Sequence, residues 1–323
     1  MGSLSRRSLL GGLAAVISMG PMSQRARAAG KIEIVATTGM IADAARTVGG
    51  DLVSVKGLMG AGVDPHAYRQ TRSDIVAMTK ADLVLWHGLY LEAQMESFFE
   101  DLARKKKVIA VTGSLPRDLL LAHEDYEGRF DPHVWMDPTL WSMVVEEVEK
   151  SLTEALPEGR GVFAENAARF KEELVALNAY TVDALSQLTP EQRVLLTAHD
   201  AFGYFGQAYG FDVMGIQGIS TESEAGLNRI SALVDVLVER DIRAVFVETS
   251  VSDRNIRALI EGAAAEGHEV RIGGSLFSDA MGPENTYEGT YLGMIDHNVT
   301  TIARALGAEV PEGGRLGKLS FGS

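Results

Sequence analysis

The stretch Glu165–Leu188, ENAARFKEELVALNAYTVDALSQL, runs for about two dozen residues without a glycine or a proline. Phe170, Leu174, Leu177, Val182, Leu185 and Leu188 approximate one apolar stripe, the pattern of an amphipathic helix. At about 1.5 Å per residue such a helix spans roughly 35 Å, the width of a domain. Thr189-Pro190 ends it. A helix of that length in the middle of a 323-residue chain reads as a connector between two halves.

Both flanks of the connector show the same alternation of β-type runs and helical patterns. Before it, strands are expected at 31–37, 52–59, 82–86 and 108–111, with helices at about 41–48, 71–80, 91–105 and 138–156. After it, strands are expected at 194–197, 211–216, 244–247 and 269–272, with helices at about 202–209, 223–239, 254–266 and 286–306. A Gly-Gly loop is expected after the last strand. Strands alternating with helices predict an α/β fold with mainly parallel sheets covered by helices. The expected division is an export signal at 1–28, an N-terminal α/β lobe at 29–160, a connecting helix at 161–189 and a C-terminal α/β lobe at 190–323. The length allows each lobe a core of its own.

The N-terminus departs from the rest. Arg6-Arg7 precede an apolar segment from Ser8 to Met19, and Ala26-Arg27-Ala28 offers a small-x-small cleavage pattern. Ser5-Arg6-Arg7-Ser8-Leu9-Leu10 is twin-arginine-like, and a general secretory signal is the alternative. The expected location is the periplasm. Removing the four arginines of residues 1–29 takes the formal charge from −14 to −18. That excess of acid argues against nucleic acid or an anionic membrane as partner. There is no cysteine. Thiolate ligands, disulfides and a lipid-modified cysteine are excluded, so any metal must be held by His and carboxylates. A soluble protein without lipid anchor or membrane insertion, and a monomer, is expected.

Candidate ligands come from a repeated tripeptide. Asp-Pro-His occurs as Asp64-Pro65-His66 and again as Asp131-Pro132-His133. Proline fixes its own φ and pushes the preceding residue toward an extended conformation, so each histidine leaves a stiff piece of backbone. A carboxylate two residues back is placed to orient the ring. Either tripeptide alone also reads as an ordinary turn. Ligands of open α/β sheets bind outside the carboxyl ends of the strands, and His66, His133, His199 and Asp279 all follow strand-like runs or their loops. They lie 67, 66 and 80 residues apart, two on each side of the connector, so any shared site is assembled from distant segments.

Gly62-Val63-Asp64-Pro65-His66-Ala67-Tyr68, Asp131-Pro132-His133-Val134-Trp135-Met136-Asp137-Pro138, Thr197-Ala198-His199-Asp200-Ala201-Phe202 and Ser275-Leu276-Phe277-Ser278-Asp279 occur in that order. With Gly218–Gly226, they make the chain resemble the zinc/manganese solute-binding proteins of bacterial ABC importers, the TroA-like group. The resemblance covers essentially the whole mature chain. It implies two α/β lobes joined by one long helix, with one metal ion in the cleft held by His66, His133, His199 and Asp279. It also implies no enzymatic activity, Zn²⁺ or Mn²⁺ as cargo, and an ABC permease with its cytoplasmic ATPase as partner.

Three imidazoles and one carboxylate make a tetrahedral zinc set if Asp279 is monodentate, and a higher coordination suited to Mn²⁺ if it is bidentate. Zinc-specific relatives often carry a His-rich loop before the second ligand, where 113–130 here holds only His123. Many manganese relatives have Glu where this chain has His199. Both metals stay open. Glu248, at the end of a strand, is a candidate fifth ligand or a hydrogen-bonding residue of the cleft. Asp64, Asp131 and Asp200 read as ring-orienting acids or turn formers, and His87, His123, His268 and His297 as structural or exposed. Binding requires neutral imidazoles, so affinity is expected to fall as pH drops through about 6.5. The rival functions are a receptor for a metal chelate or siderophore, a mononuclear zinc hydrolase with Glu248 as base, and a surface adhesion module.

Overall fold

The computed structural model describes residues 31–123, 126–223 and 225–320. The expected export signal lies outside the described residues. The first half runs β1 (Ile32–Ala36), α1 (Gly39–Gly49), β2 (Val53–Gly57), α2 (Arg72–Lys80), β3 (Leu83–Trp86), α3 (Glu96–Ala103), β4 (Lys107–Ala110) and α4 (Pro138–Ala155). Its strands pair in parallel in the order β2-β1-β3-β4, with Val35 opposite Lys56 on one side and Val84 on the other. β1 and β3 are almost wholly buried, as apolar runs in a sheet covered on both faces must be.

The long helix α5 (Arg160–Ser186) has 27 residues, about 40 Å at 1.5 Å each. It starts earlier than the glycine-free pattern predicts and includes Gly161. Its buried stripe runs Phe163, Ala167, Phe170, Leu174, Leu177, Thr181, Ala184 and Leu185, while Val182 is 53% exposed. Five residues past Leu177 turns Val182 about 140° off the stripe, whereas Thr181 and Ala184 stay on it.

The second half runs β5 (Val194–His199), α6 (Gly203–Tyr209), β6 (Asp212–Gln217), α7 (Leu227–Glu239), β7 (Ala244–Glu248), α8 (Arg254–Ala265), β8 (Arg271–Leu276) and α9 (Tyr291–Ala305). β5 pairs in parallel with β6, and β7 with β8. The expected Gly-Gly loop is instead inside β8. A Cβ on Gly273 would meet the Phe246 ring at 2.8 Å, and one on Gly274 would clash with Thr301 Cγ2. Glycine here lets α9 and β7 approach the strand, beside an irregularity at Val245/Phe246. Helices α3, α7 and α9 are shorter than expected. Ahead of α3, Leu89 and Tyr90 take left-handed φ of 52° and 71°, which a helix starting near Leu91 does not accommodate.

The halves do not have fully separate cores. One buried cluster runs from β1 and α1 through α4 and α5 into α9, with smaller clusters between β5–β8 and α7–α8, and between α2, α3 and the first sheet. Trp141 of α4 stacks on Tyr291 of α9 with centroids 5.1 Å apart, and both are fully buried. The Trp141 indole N–H finds no hydrogen-bond partner among the described residues, so its contribution is packing alone. Trp141→Ala is expected to cost about 3–5 kcal/mol. Urea unfolding of the metal-free protein measures it, and a loss under about 1 kcal/mol would remove this contact from the core's supports.

Candidate metal centre

The strand ends deliver the polar residues. β1 pairs with β2 on one side and β3 on the other, so the chain connections diverge at their carboxyl ends. His66 lies in the loop after β2, and His133 follows β4 through a loop closed by an Ala122–Phe130 bridge. His199 is the last residue of β5 and Glu248 the last of β7, and Asp279 comes three residues past β8. Asp137 ends the stretch after His133 by capping α4, accepting from Thr139 N at 2.7 Å with Pro138 at the first helical position.

All four predicted ligands converge. His66 Nε2 is 3.3 Å from His133 Nε2 and 3.9 Å from Asp279 Oδ2. His133 Nε2 is 3.3 Å from Asp279 Oδ1, and His199 Nε2 is 3.1 Å from Asp279 Oδ2. One donor atom from each of the four lies within 4.8 Å of every other. A tetrahedral ion with bonds of about 2.0–2.1 Å has ligand–ligand edges of about 3.3–3.4 Å, so the spacing suits a bare ion. Exposure is 3% for His66, 0% for His133 and His199, and 2% for Asp279. Both Asp279 oxygens are buried and accept no well-formed hydrogen bond from the described residues. An ion is the partner such a carboxylate calls for.

Carboxylates hold two of the rings from behind. Asp131 Oδ1 sits 2.7 Å from His133 Nδ1 and accepts the His133 backbone N–H at 2.9 Å. Glu248 Oε2 sits 2.5 Å from His199 Nδ1, while Oε1 accepts the His199 backbone N–H at 2.8 Å. Both oxygens of Glu248 are thus turned to His199, Oε1 through a backbone hydrogen bond and Oε2 through an ion-pair contact without hydrogen-bond geometry. Asp64 accepts the His66 backbone N–H at 2.8 Å, and Thr221 from the second half donates to its other oxygen at 2.6 Å.

The electrostatics divide the three imidazoles. Burial lowers the His66 pKa to about 3, against the pull of Asp279. Burial also pushes His133 down, but Asp131 and Asp279 outweigh it and raise it to about 9. Asp279 and Glu248 likewise overcome burial and hold His199 well above the usual range. Burial disfavours the Asp279 charge, yet His199, His133 and His66 hold its pKa well below the usual carboxylate range.

Of the other sequence candidates, Asp200 is placed just after β5, where its backbone N–H donates to Gly218 O at 3.4 Å. His87 and His123 are buried, and His268 and His297 contact the carbonyls of Ile242 and Ser275. His87 is closer to the centre than sequence suggested, its Nε2 donating to Pro132 O at 2.7 Å. Trp135, Glu92 and Thr221 were not among the candidates. Glu92 accepts from Thr37 Oγ1 and from the backbone of His87 and Gly88, and fixes the turn under Pro132. Trp135 lay in plain view inside the Asp131–Pro138 stretch, where an aromatic beside a ligand was the available signal.

The zinc-uptake complex component A periplasmic family matches residues 34–305. The chain is 46% identical over 277 residues to the manganese-binding lipoprotein MntA of Bacillus subtilis, covering 85% of this chain and 90% of that one. It is 45% identical over 284 residues to the zinc-binding protein TroA of Treponema pallidum, covering 88% and 92%. The solved structure of the periplasmic zinc-binding protein TroA superposes with a TM-score of 0.84 at 45% identity, over 86% of this chain and 99% of that one. On the match over most of its length, this chain belongs to the zinc-uptake complex component A periplasmic family.

Proposed function

We propose that the protein is a periplasmic solute-binding receptor that captures one divalent transition metal, Zn²⁺ or Mn²⁺, and hands it to an ABC permease driven by a cytoplasmic ATPase. The observation that carries this reading is the convergence of three imidazole Nε2 atoms on a buried Asp279 whose oxygens lack well-formed hydrogen bonds. His66, His133, His199 and Asp279 are the ligands, with Asp131 and Glu248 orienting two of the rings. Residues 29–160 and 190–323 act as the two lobes and 161–189 as the helix between them. Similarity to one relative named for manganese and another named for zinc supports a site open to both ions. Among the described residues no helix is long and apolar enough to cross a membrane.

The geometry favours a carrier over a hydrolase. Catalytic zinc keeps a position for water and substrate, whereas four buried protein donors fill a tetrahedron. It also favours a bare ion over a chelate, whose metal already has its positions filled.

Competitive titration of demetallated protein with Zn²⁺ and Mn²⁺, counted by native mass spectrometry, is expected to give one ion per chain for either metal. Failure to retain either ion at micromolar concentration would overturn the assignment. In cells, deleting the gene is expected to lower accumulation of the limiting metal, and unchanged uptake would remove the transport half.

A further inference from the structure

Resting on the metal-capture reading, we infer that Trp135 is a specificity-setting positioning residue: its indole N–H holds the Asp279 arm so that both carboxylate oxygens face the ion. Trp135 belongs to the first half, in the turn that carries His133, and is fully buried. Its Nε1 donates across to the carbonyl of Ser278, the residue before Asp279, at 2.8 Å. Its ring meets the rings of His133 and His87 edge-on, with centroids 5.1 Å and 5.0 Å away, and its carbonyl accepts from Tyr291 OH at 2.8 Å. One rigid side chain therefore ties the His133 turn to the Asp279 arm.

No well-formed hydrogen bond from the described residues steers the Asp279 carboxylate, whose side-chain contacts are the ion pairs with the histidines, so its backbone shares in setting its direction. That backbone is anchored in three ways. Asn298 of α9 clasps Phe277, accepting its N–H at 2.9 Å and donating to its carbonyl at 2.7 Å. Ser250 and Ser278 share a hydroxyl hydrogen bond of 3.0 Å. Trp135 supplies the third anchor, the one nearest the carboxylate that comes from the opposite half. In this setting Oδ1 lies 3.3 Å from His133 Nε2 and Oδ2 3.1 Å from His199 Nε2, so the carboxylate straddles the ligand cluster.

The two metals use that carboxylate differently. Three nitrogens and a single oxygen complete a tetrahedral zinc shell, whereas Mn²⁺ favours oxygen donors and higher coordination. An arm free to rotate still offers one oxygen to Zn²⁺ but no longer guarantees the second to Mn²⁺. Loosening the Trp135–Ser278 bond therefore penalises Mn²⁺ more than Zn²⁺.

The test is competitive Zn²⁺/Mn²⁺ titration of wild type, Trp135→Phe and Ser250→Ala, with thermal melts of each metal-free protein to verify folding. Trp135→Phe keeps one aromatic ring and removes the donor together with part of the indole's buried volume, a loss of packing that weakens both metals alike. It is expected to raise the Zn²⁺-over-Mn²⁺ affinity ratio by about tenfold, the scale of one lost buried hydrogen bond. Ser250→Ala is expected to move the ratio the same way by about two- to fivefold, and it decides the matter if Trp135→Phe does not fold. Equal weakening of both metals, or no change, in a folded variant would overturn the inference and reduce Trp135 to a packing residue. Wild type that binds neither metal would instead overturn the metal-capture reading itself.

Discussion

His133→Ala is expected to weaken metal binding by about 10²–10³-fold and destabilise the metal-free protein, whereas His66→Ala does only the first. Structural zinc sites with four ligands are worth about 10–16 kcal/mol, so one ligand carries about 3–4 kcal/mol, or about 10²–10³ in affinity. Both variants lose that much. They differ in what they leave behind. His133 sits 2.7 Å from Asp131 and 3.3 Å from Asp279, and these contacts raise it to about 9, so at neutral pH it is the buried cation between them. Deleting it strands Asp131, while Asp279 keeps His199 at 3.1 Å, a loss on the order of 3 kcal/mol. His66 is held neutral by burial, with its pKa near 3, so its removal uncovers no comparable charge. Guanidinium unfolding of the metal-free variants beside metal counting separates the two effects. Equal destabilisation by both substitutions would show that His133 is not paired as a cation, and unchanged metal affinity in His133→Ala would remove it from the centre.

This asymmetry also shows what the sequence could and could not disclose. The strand positions were readable because β1, β3, β5 and β7 are short apolar runs buried on both faces, and such runs leave a signature in any chain. The candidate ligands stood out because His66 and His133 follow proline and His199 follows a strand-like run, and the family resemblance joined them with Asp279 into one set. What surrounds them was not. Glu248 is 49 residues from His199, and no spacing rule announces that both its oxygens turn to that one histidine. The Trp135–Ser278 bond spans 143 residues. The glycines of β8 read as a loop because glycine's usual role is a turn, and only the approach of Phe246 and Thr301 shows why a strand needs them. The shared core had the same cause. Periodicity gives each helix's apolar face but not its partner, and the α5 stripe serves helices from both halves.

Metal affinity is expected to keep rising with pH well above 6.5. Neutral imidazoles alone would level off above their ordinary pKa of about 6.5. Here His133 is raised to about 9 and His199 is held well above its ordinary value, so at pH 7 each carries a proton that an incoming dication must displace. His66, already neutral with its pKa near 3, releases none across this range. With two protons displaced, log K climbs with a slope approaching two, a ceiling of about four decades between pH 6 and pH 8. Calorimetry in buffers of different ionisation enthalpy counts those protons directly. The stability of the metal-free protein moves the opposite way. A histidine whose folded pKa lies above its unfolded value contributes stability that is complete below about pH 6.5 and lost as pH rises through about 9. From neutral pH upward the metal-free protein therefore weakens while its grip on metal tightens. An affinity flat above pH 7, with fewer than one proton released, would mean the rings are neutral before metal arrives. Asp131 and Glu248 would then act by orientation alone. The crossing of the two trends is what distinguishes carboxylates that store protons from carboxylates that merely aim the rings.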